Sequence, residues 1–263
     1  MYTNIVTEID LGVGIITLNR PERHNAFDDA LIAELSHAID SMADDPAVRV
    51  LVISSTGKSF CAGADLNWMK RAAGYGEDEN LRDSRALAGM LRRLAQCPKP
   101  TIARVQGPAY GGGVGLVACC DIAIATFDAQ FSLTEVKLGI IPAVISPHVI
   151  AAIGERYARR YMLTAERFSA AEAYRIGLLH EMVTDETALD EALGEIIDAL
   201  LKNGPRALAE CKQLISAVAW KPLSDEVVED TAQRITRLRA SDEGREGMTA
   251  FLEKRKPNWI AQG

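Results

Sequence analysis

The sequence contains no C-x-x-C pair, no apolar run of membrane length and no excess of positive charge. Each absence removes a class of protein. The five cysteines (Cys61, Cys97, Cys119, Cys120 and Cys211) are odd in number and irregularly spaced. Neither a disulfide framework nor a zinc site is indicated. Buried free thiols in a reducing compartment fit better, so a cytoplasmic location is expected. The longest uncharged stretch, residues 138 to 154, is interrupted by Pro142 and Pro147 and falls short of a membrane span. It reads as a buried segment lining a pocket. The chain opens on a strand-like run rather than a secretory leader, and no membrane partner is expected. The net charge of −7 and pI near 5.2 argue against a nucleic-acid-binding surface. An anionic ligand would be met by a local cationic spot instead.

Common catalytic signatures are missing as well. Gly57-Lys58-Ser59 resembles the end of a phosphate-binding loop, but position 52, where that loop needs glycine, is Val52. The glycines at 111–115 do not form G-x-G-x-x-G, because position 116 is Leu116. No G-x-S-x-G nucleophile elbow occurs. The four histidines (His24, His37, His148 and His180) show no metal-ligand spacing.

What remains is a 263-residue chain that is 48% apolar and 25% charged, enough for a sizeable core. One large domain, or one with a helical appendage, is expected. Alternating apolar residues over 4–10 and 12–19 predict an N-terminal hairpin. Leu31, Ile32, Leu35, Ile39 and Met42 share one face of a helix over 28–43, with Asp28 as its N-cap. Strands are predicted over 48–54, 101–106 and 121–125, and a helix over 79–96. Residues 70–80, polar with two glycines, read as a mobile loop. Beyond residue 140 helices dominate: 146–153, 155–164, 169–176, 186–203, 205–219, 223–241 and 243–254. No fixed-period repeat is present.

Two glycine-bearing segments stand out: Phe60-Cys61-Ala62-Gly63-Ala64-Asp65-Leu66 and Pro108-Ala109-Tyr110-Gly111-Gly112-Gly113-Val114-Gly115-Leu116. Each reads as a buried strand turning into a helix. A flexible turn is the plainer reading of Gly111 to Gly113. However, glycine also lets backbone approach a ligand closely, and the apolar Val114, Leu116 and Val117 suggest a buried helix starting there. A helix N-terminus adds free N–H donors and partial positive charge. Two such segments can aim two N–H groups at one oxygen, forming an oxyanion hole.

These segments resemble the paired oxyanion signatures of the crotonase (enoyl-CoA hydratase/isomerase) superfamily. Asn19-Arg20-Pro21 with Asn25-Ala26 resembles that family's early CoA-contacting turn, and Phe251-Leu252-Glu253-Lys254-Arg255 its C-terminal signature. The resemblance implies an α/β fold: a crotonase-like spiral of β-β-α units over residues 1–200, with a C-terminal helical trimerisation region over 201–263. It also implies a homotrimer or homohexamer acting on an acyl-CoA. Coenzyme A is then part of the substrate, and no separate cofactor is implied. The N–H groups of Ala64 and Gly112 would hold the thioester carbonyl. CoA would be bound by Arg23, Ala26, Ala62, Asp65, Leu66 and Lys254. Arg23 and Lys254 would meet its phosphates, Lys254 from a neighbouring subunit or its own. Solvated charge is an equal reading of both cations. Trp68 and Met69 would face the acyl chain or pack the loop. Cys61 reads as a small buried filler rather than a nucleophile.

Hydratases of the family usually carry two glutamates. Here one position is Gly115 and the other is Glu135, within Phe131-Ser132-Leu133-Thr134-Glu135. Glu135 would act as general base and acid. Residues 64–69, 141–147 and 153–161 resemble the bacterial methylglutaconyl-CoA hydratases of leucine breakdown and the related carboxygeranoyl-type hydratases. Their substrate carries an extra carboxylate, which a second glutamate about 5 Å away would repel by roughly 3–4 kcal/mol at an effective dielectric near 20. Gly115 is expected to relieve that repulsion and open space. Two alternatives stay open: an enoyl-CoA isomerase using Glu135 alone, and a non-catalytic acyl-CoA-binding relative.

Overall fold

A computed structural model describes residues 2–260. The chain opens with the hairpin β1 (Ile5–Asp10) and β2 (Val13–Leu18), turned by Leu11 and Gly12, both at positive φ. Asp28 then caps α1 (Asp29–Asp44) by accepting from the Leu31 N–H, as its sequence predicts. All five predicted apolar residues of α1 are buried.

The chain continues through β3 (Val50–Ser55), α2 (Leu66–Ala72), α3 (Glu77–Ala95), β4 (Thr101–Val105), β5 (Ala109–Tyr110), α4 (Gly112–Cys119), β6 (Ile122–Thr126) and β7 (Gln130–Ser132). After a 3-10 turn at Glu135–Leu138 come α5 (Ser146–Thr164), β8 (Phe168–Ser169), α6 (Ala170–Arg175), β9 (Glu181–Val183) and α7 (Glu186–Leu201). Helices α8 (Pro205–Val218), α9 (Asp225–Ala240) and α10 (Asp242–Leu252) complete the described chain. Residues 261–263 of the expected helical region lie outside the described residues.

The main sheet has six strands in the order β1-β2-β3-β4-β6-β9. Only the β1–β2 pair is antiparallel. A second sheet joins β5, β7 and β8. Strand alternation sends side chains to two cores. Leu51 and Ile53 face the larger core with α1, α3, α4 and α5, whereas Val50 and Val52 face α7. The parallel β3 is therefore apolar on both faces, the pattern of a strand covered on each side.

One of two sequence expectations about the helices changes. Residues 70–80 are not one loop: α2 runs to Ala72 and α3 begins at Glu77, leaving only 73–76 between them. Both flanks look polar because these helix ends present most residues to solvent. The helices expected over 146–153 and 155–164 are the two arms of α5, which breaks at Gly154, where φ is 73° and ψ is 159°.

Candidate active site

The two glycine segments lie side by side. Cys61 bridges Ala109 in parallel fashion, with the Tyr110 N–H donating to the Cys61 carbonyl at 2.9 Å. Gly63 takes φ 87°, and a Cβ there would stand 3.0 Å from the Tyr110 carbonyl oxygen. A Cβ on Gly113 would collide with the Cys61 carbonyl and lie 3.0 Å from Cys61 Cβ. Glycine at 63 and 113 is thus what lets the segments touch.

Phe27 joins them from a third segment. Its N–H donates to the Gly63 carbonyl at 2.6 Å, and its carbonyl accepts from the Asp65 N–H at 2.7 Å. In this parallel bridge Gly63 and Asp65 supply the bonds, so the Ala64 N–H points away from Phe27. No acceptor for it occurs among the described residues. The Phe27 ring lies under Gly112, 3.0 Å from where a Cβ would sit. The Gly112 N–H, in the first residue of α4, likewise has no acceptor among the described residues. Phe27 thus touches both segments that carry an unpaired donor, through its backbone at Ala64 and its ring at Gly112. Ala64 is exposed and Gly112 half-exposed, which leaves both accessible to a ligand.

Glu135 opens the 3-10 turn after β7, where the Gly111 N–H donates to the Ser132 carbonyl at 2.8 Å. Its Oε1 lies 3.2 Å from the Cβ position of Gly111. Its Oε2 is buried without a partner among the described residues. Burial pushes the Glu135 carboxyl above the usual carboxylate range, and its own N–H only partly offsets that. A carboxyl with a raised pKa can exchange protons with a bound group, and this one lies over Gly111, the residue before the Gly112 donor.

The sequence matches the family model for enoyl-CoA hydratase/isomerase over residues 8–262. The chain belongs to the enoyl-CoA hydratase/isomerase family. Its fold matches the crystal structure of an enoyl-CoA hydratase from Shewanella pealeana with a TM-score of 0.95 and 44% identity, covering 98% of this chain and 96% of that one. It is 35% identical to a crotonyl-CoA hydratase of Syntrophomonas wolfei, over 99% of both chains. It is 34% identical to a 1,2-epoxyphenylacetyl-CoA isomerase of Escherichia coli, over 100% of both. The fold is that of the crotonase family.

Within this family member, the other residues singled out in the sequence occupy varied settings. Ala26 is buried, Ala62 is half-buried and donates its N–H to the His24 carbonyl, and Leu66 is 74% exposed beside Ala64. Arg23 ends a 3-10 turn at Pro21–Arg23 and pairs with Asp65 at 3.1 Å. Asp65 itself is 5% exposed, and its Oδ1 caps α2 through the Asn67 and Trp68 N–H groups. Burial alone would raise this carboxyl, but those N–H donors and the Arg23 guanidinium hold it below the usual range. The Asp65 carboxylate is thus already engaged by groups of the chain itself. Lys254 sits on an exposed turn after α10, a helix packed on α8 and α9.

The early turn is held together from within. Arg20 does not offer its side chain to solvent; it is 5% exposed and ion-paired with Asp28. Trp68 packs inward, its Nε1 donating to Asp83 of α3 at 2.9 Å. Gly115 does not open space, because a Cβ on it would collide with Cγ2 of Ile145. Burial pushes the Cys61 thiol up to about 12, so it stays protonated. Phe27 and Ile145 were invisible as site residues in the sequence, since neither carries a polar group and both act by shape.

Proposed function

We propose that this chain is an acyl-CoA hydratase that adds water across the double bond of an enoyl-CoA. The observation carrying this reading is the Glu135 carboxyl, buried and unpartnered at Oε2, lying over Gly111, the residue before the unpaired Gly112 N–H. The Ala64 and Gly112 N–H groups form the oxyanion hole and bind the thioester oxygen. Charge builds on that oxygen as the substrate becomes enolate-like, and each donor is worth about 3–4 kcal/mol of barrier. Glu135 takes a proton from water as the water oxygen bonds to the β-carbon. It then returns a proton to the α-carbon, so one water is consumed and the carboxylate is restored. A single carboxyl carries both transfers, because position 115 has no side chain.

The substrate we propose is 3-methylglutaconyl-CoA, giving 3-hydroxy-3-methylglutaryl-CoA in leucine or related isoprenoid-acid breakdown. The branch-like segments 64–69, 141–147 and 153–161 support it. The enzyme needs no cofactor, since CoA is part of the substrate, and it works in the cytoplasm. No helix among the described residues is long and apolar enough to cross a membrane. It assembles as a homotrimer or homohexamer through its C-terminal helices. Helices α8 and α9 bury no residue of their own, and Trp220, Leu223, Phe251 and Leu252 are all largely exposed.

An isomerase is the second reading, favoured by the same lone acid, which suffices to shuttle one proton between two carbons. Turnover of 3-methylglutaconyl-CoA in 18O-labelled water separates the two. Hydration removes the enoyl-thioester absorbance and adds labelled oxygen. Isomerisation moves the double bond with no gain of oxygen. Binding of CoA esters with turnover of none would overturn both.

A further inference from the structure

We infer that Arg20 is a positioning residue for the Ala64 N–H. The inference rests on the role proposed for that donor. Ala64 lies on one side of the bridge to Phe27, and the next residue along each segment is an aspartate: Asp28 after Phe27, Asp65 after Ala64. Arg20 spans these two carboxylates. Its Nη1 is 2.7 Å from Asp28 Oδ2 and donates to the Ala26 carbonyl at 3.2 Å, and its Nη2 is 3.5 Å from Asp65 Oδ2.

Each carboxylate is also a helix cap. Asp28 accepts from the Leu31 N–H of α1, and Asp65 accepts from the Asn67 and Trp68 N–H groups of α2. One buried guanidinium therefore ties the first turns of two helices together, with the Phe27–Ala64 bridge between them. Arg20 is itself held, because its backbone N–H donates to Asn25 Oδ1 at 2.8 Å and its carbonyl accepts from the Asn25 N–H at 3.0 Å. The tie fixes the direction of the peptide between Gly63 and Ala64, which is the one that carries the free donor.

Arginine is needed for its shape. The planar fork reaches two acids at once, whereas lysine offers one compact charge. Arg20→Lys keeps the buried charge and is the variant expected to fold; Arg20→Met removes the charge and leaves Asp28 without its ion-pair partner, while Asp65 keeps Arg23. The probe is butyryl-CoA carrying 13C at the thioester carbonyl. It is saturated and cannot be hydrated, so its infrared carbonyl stretch reports hydrogen bonding without turnover. Bound to the native protein, the stretch moves to lower wavenumber. In Arg20→Lys we expect part of that displacement to be lost and kcat on the enoyl-CoA substrate to fall about 10- to 100-fold. KM and the affinity for free CoA should stay near native values.

A folded Arg20→Lys protein with the native displacement and native kcat would overturn the inference. So would a loss of activity that merely tracks the unfolded fraction in thermal melting. Absence of any displacement in the native protein would instead overturn the oxyanion reading, and this inference with it.

Discussion

Gly115 and Ile145 share one volume. Cβ of Ile145 stands 2.8 Å from the point where a Cβ on Gly115 would lie, and Ile145 is 1% exposed. Gly115 follows Gly111 by one helical turn, and its N–H reaches the Gly111 carbonyl at 3.3 Å. Glu135 thus stands over Gly111, just before α4, and Ile145 over Gly115 within it. A hydrocarbon fills the place where a second acid would need room. Adding a side chain at 115 overpacks the core, so Gly115→Ala should cost about 1–3 kcal/mol. Ile145→Ala alone should cost about 2–5 kcal/mol by leaving a cavity. Together they should cost less than their sum. Urea unfolding of the four proteins gives the coupling, and strict additivity would refute the shared volume.

Replacing Glu135 with Gln should lower kcat roughly 10²- to 10⁴-fold while CoA affinity holds. The pH dependence has a definite sign. Burial raises the folded carboxyl above its unfolded value, so the fold disfavours the ionised form. Stability from this group therefore falls as pH rises through the folded pKa, and the Gln variant should match or exceed native stability at neutral pH. Catalysis needs the ionised base, so the acid limb of kcat should lie above the range of an ordinary glutamate. A fully active Gln variant would remove Glu135 from the mechanism.

Gly113→Ala tests the contact between the two glycine segments. The new methyl would strike the Cys61 carbonyl, the acceptor of the Tyr110 N–H. Moving that strand edge displaces the start of α4 and the Gly112 donor with it. Activity should drop about 10²-fold for a shift near 1 Å. Steady-state rates beside a melting curve would show whether activity falls faster than stability; an unchanged kcat would count against the packing account.

Cysteine reactivity offers a check on the core. Cys61, Cys97, Cys119 and Cys120 are buried and Cys211 is exposed. Burial pushes the Cys61 thiol up to about 12 and raises those of Cys97, Cys119 and Cys120 as well. A chromogenic disulfide reagent should spare the four buried thiols in the native protein and titrate all five only after unfolding. Rapid reaction of Cys61 would contradict its burial.

Much of the secondary structure was legible because its causes are local. The spacing of Leu31, Ile32, Leu35, Ile39 and Met42, with Asp28 before them, was enough to bound α1 to within a residue. Gly154 announced the kink in α5. The strands β5, β7 and β8, of two or three residues, are too short for any periodicity to register. The break between α2 and α3 was overdrawn because solvent-facing helix ends look like loop by composition alone.

The order of apolar periods, the caps, the glycines and the lone Glu135 were written into the sequence by itself, and with them the family. Only the tertiary structure decided which N–H groups stay unpaired, where Arg20 spends its charge and what fills the space beside Gly115. The reason is physical. A periodic side chain responds to neighbours three or four residues away. An unsatisfied donor or a filled cavity depends on atoms brought from distant parts of the chain, as Phe27 comes to Ala64 and Ile145 to Gly115.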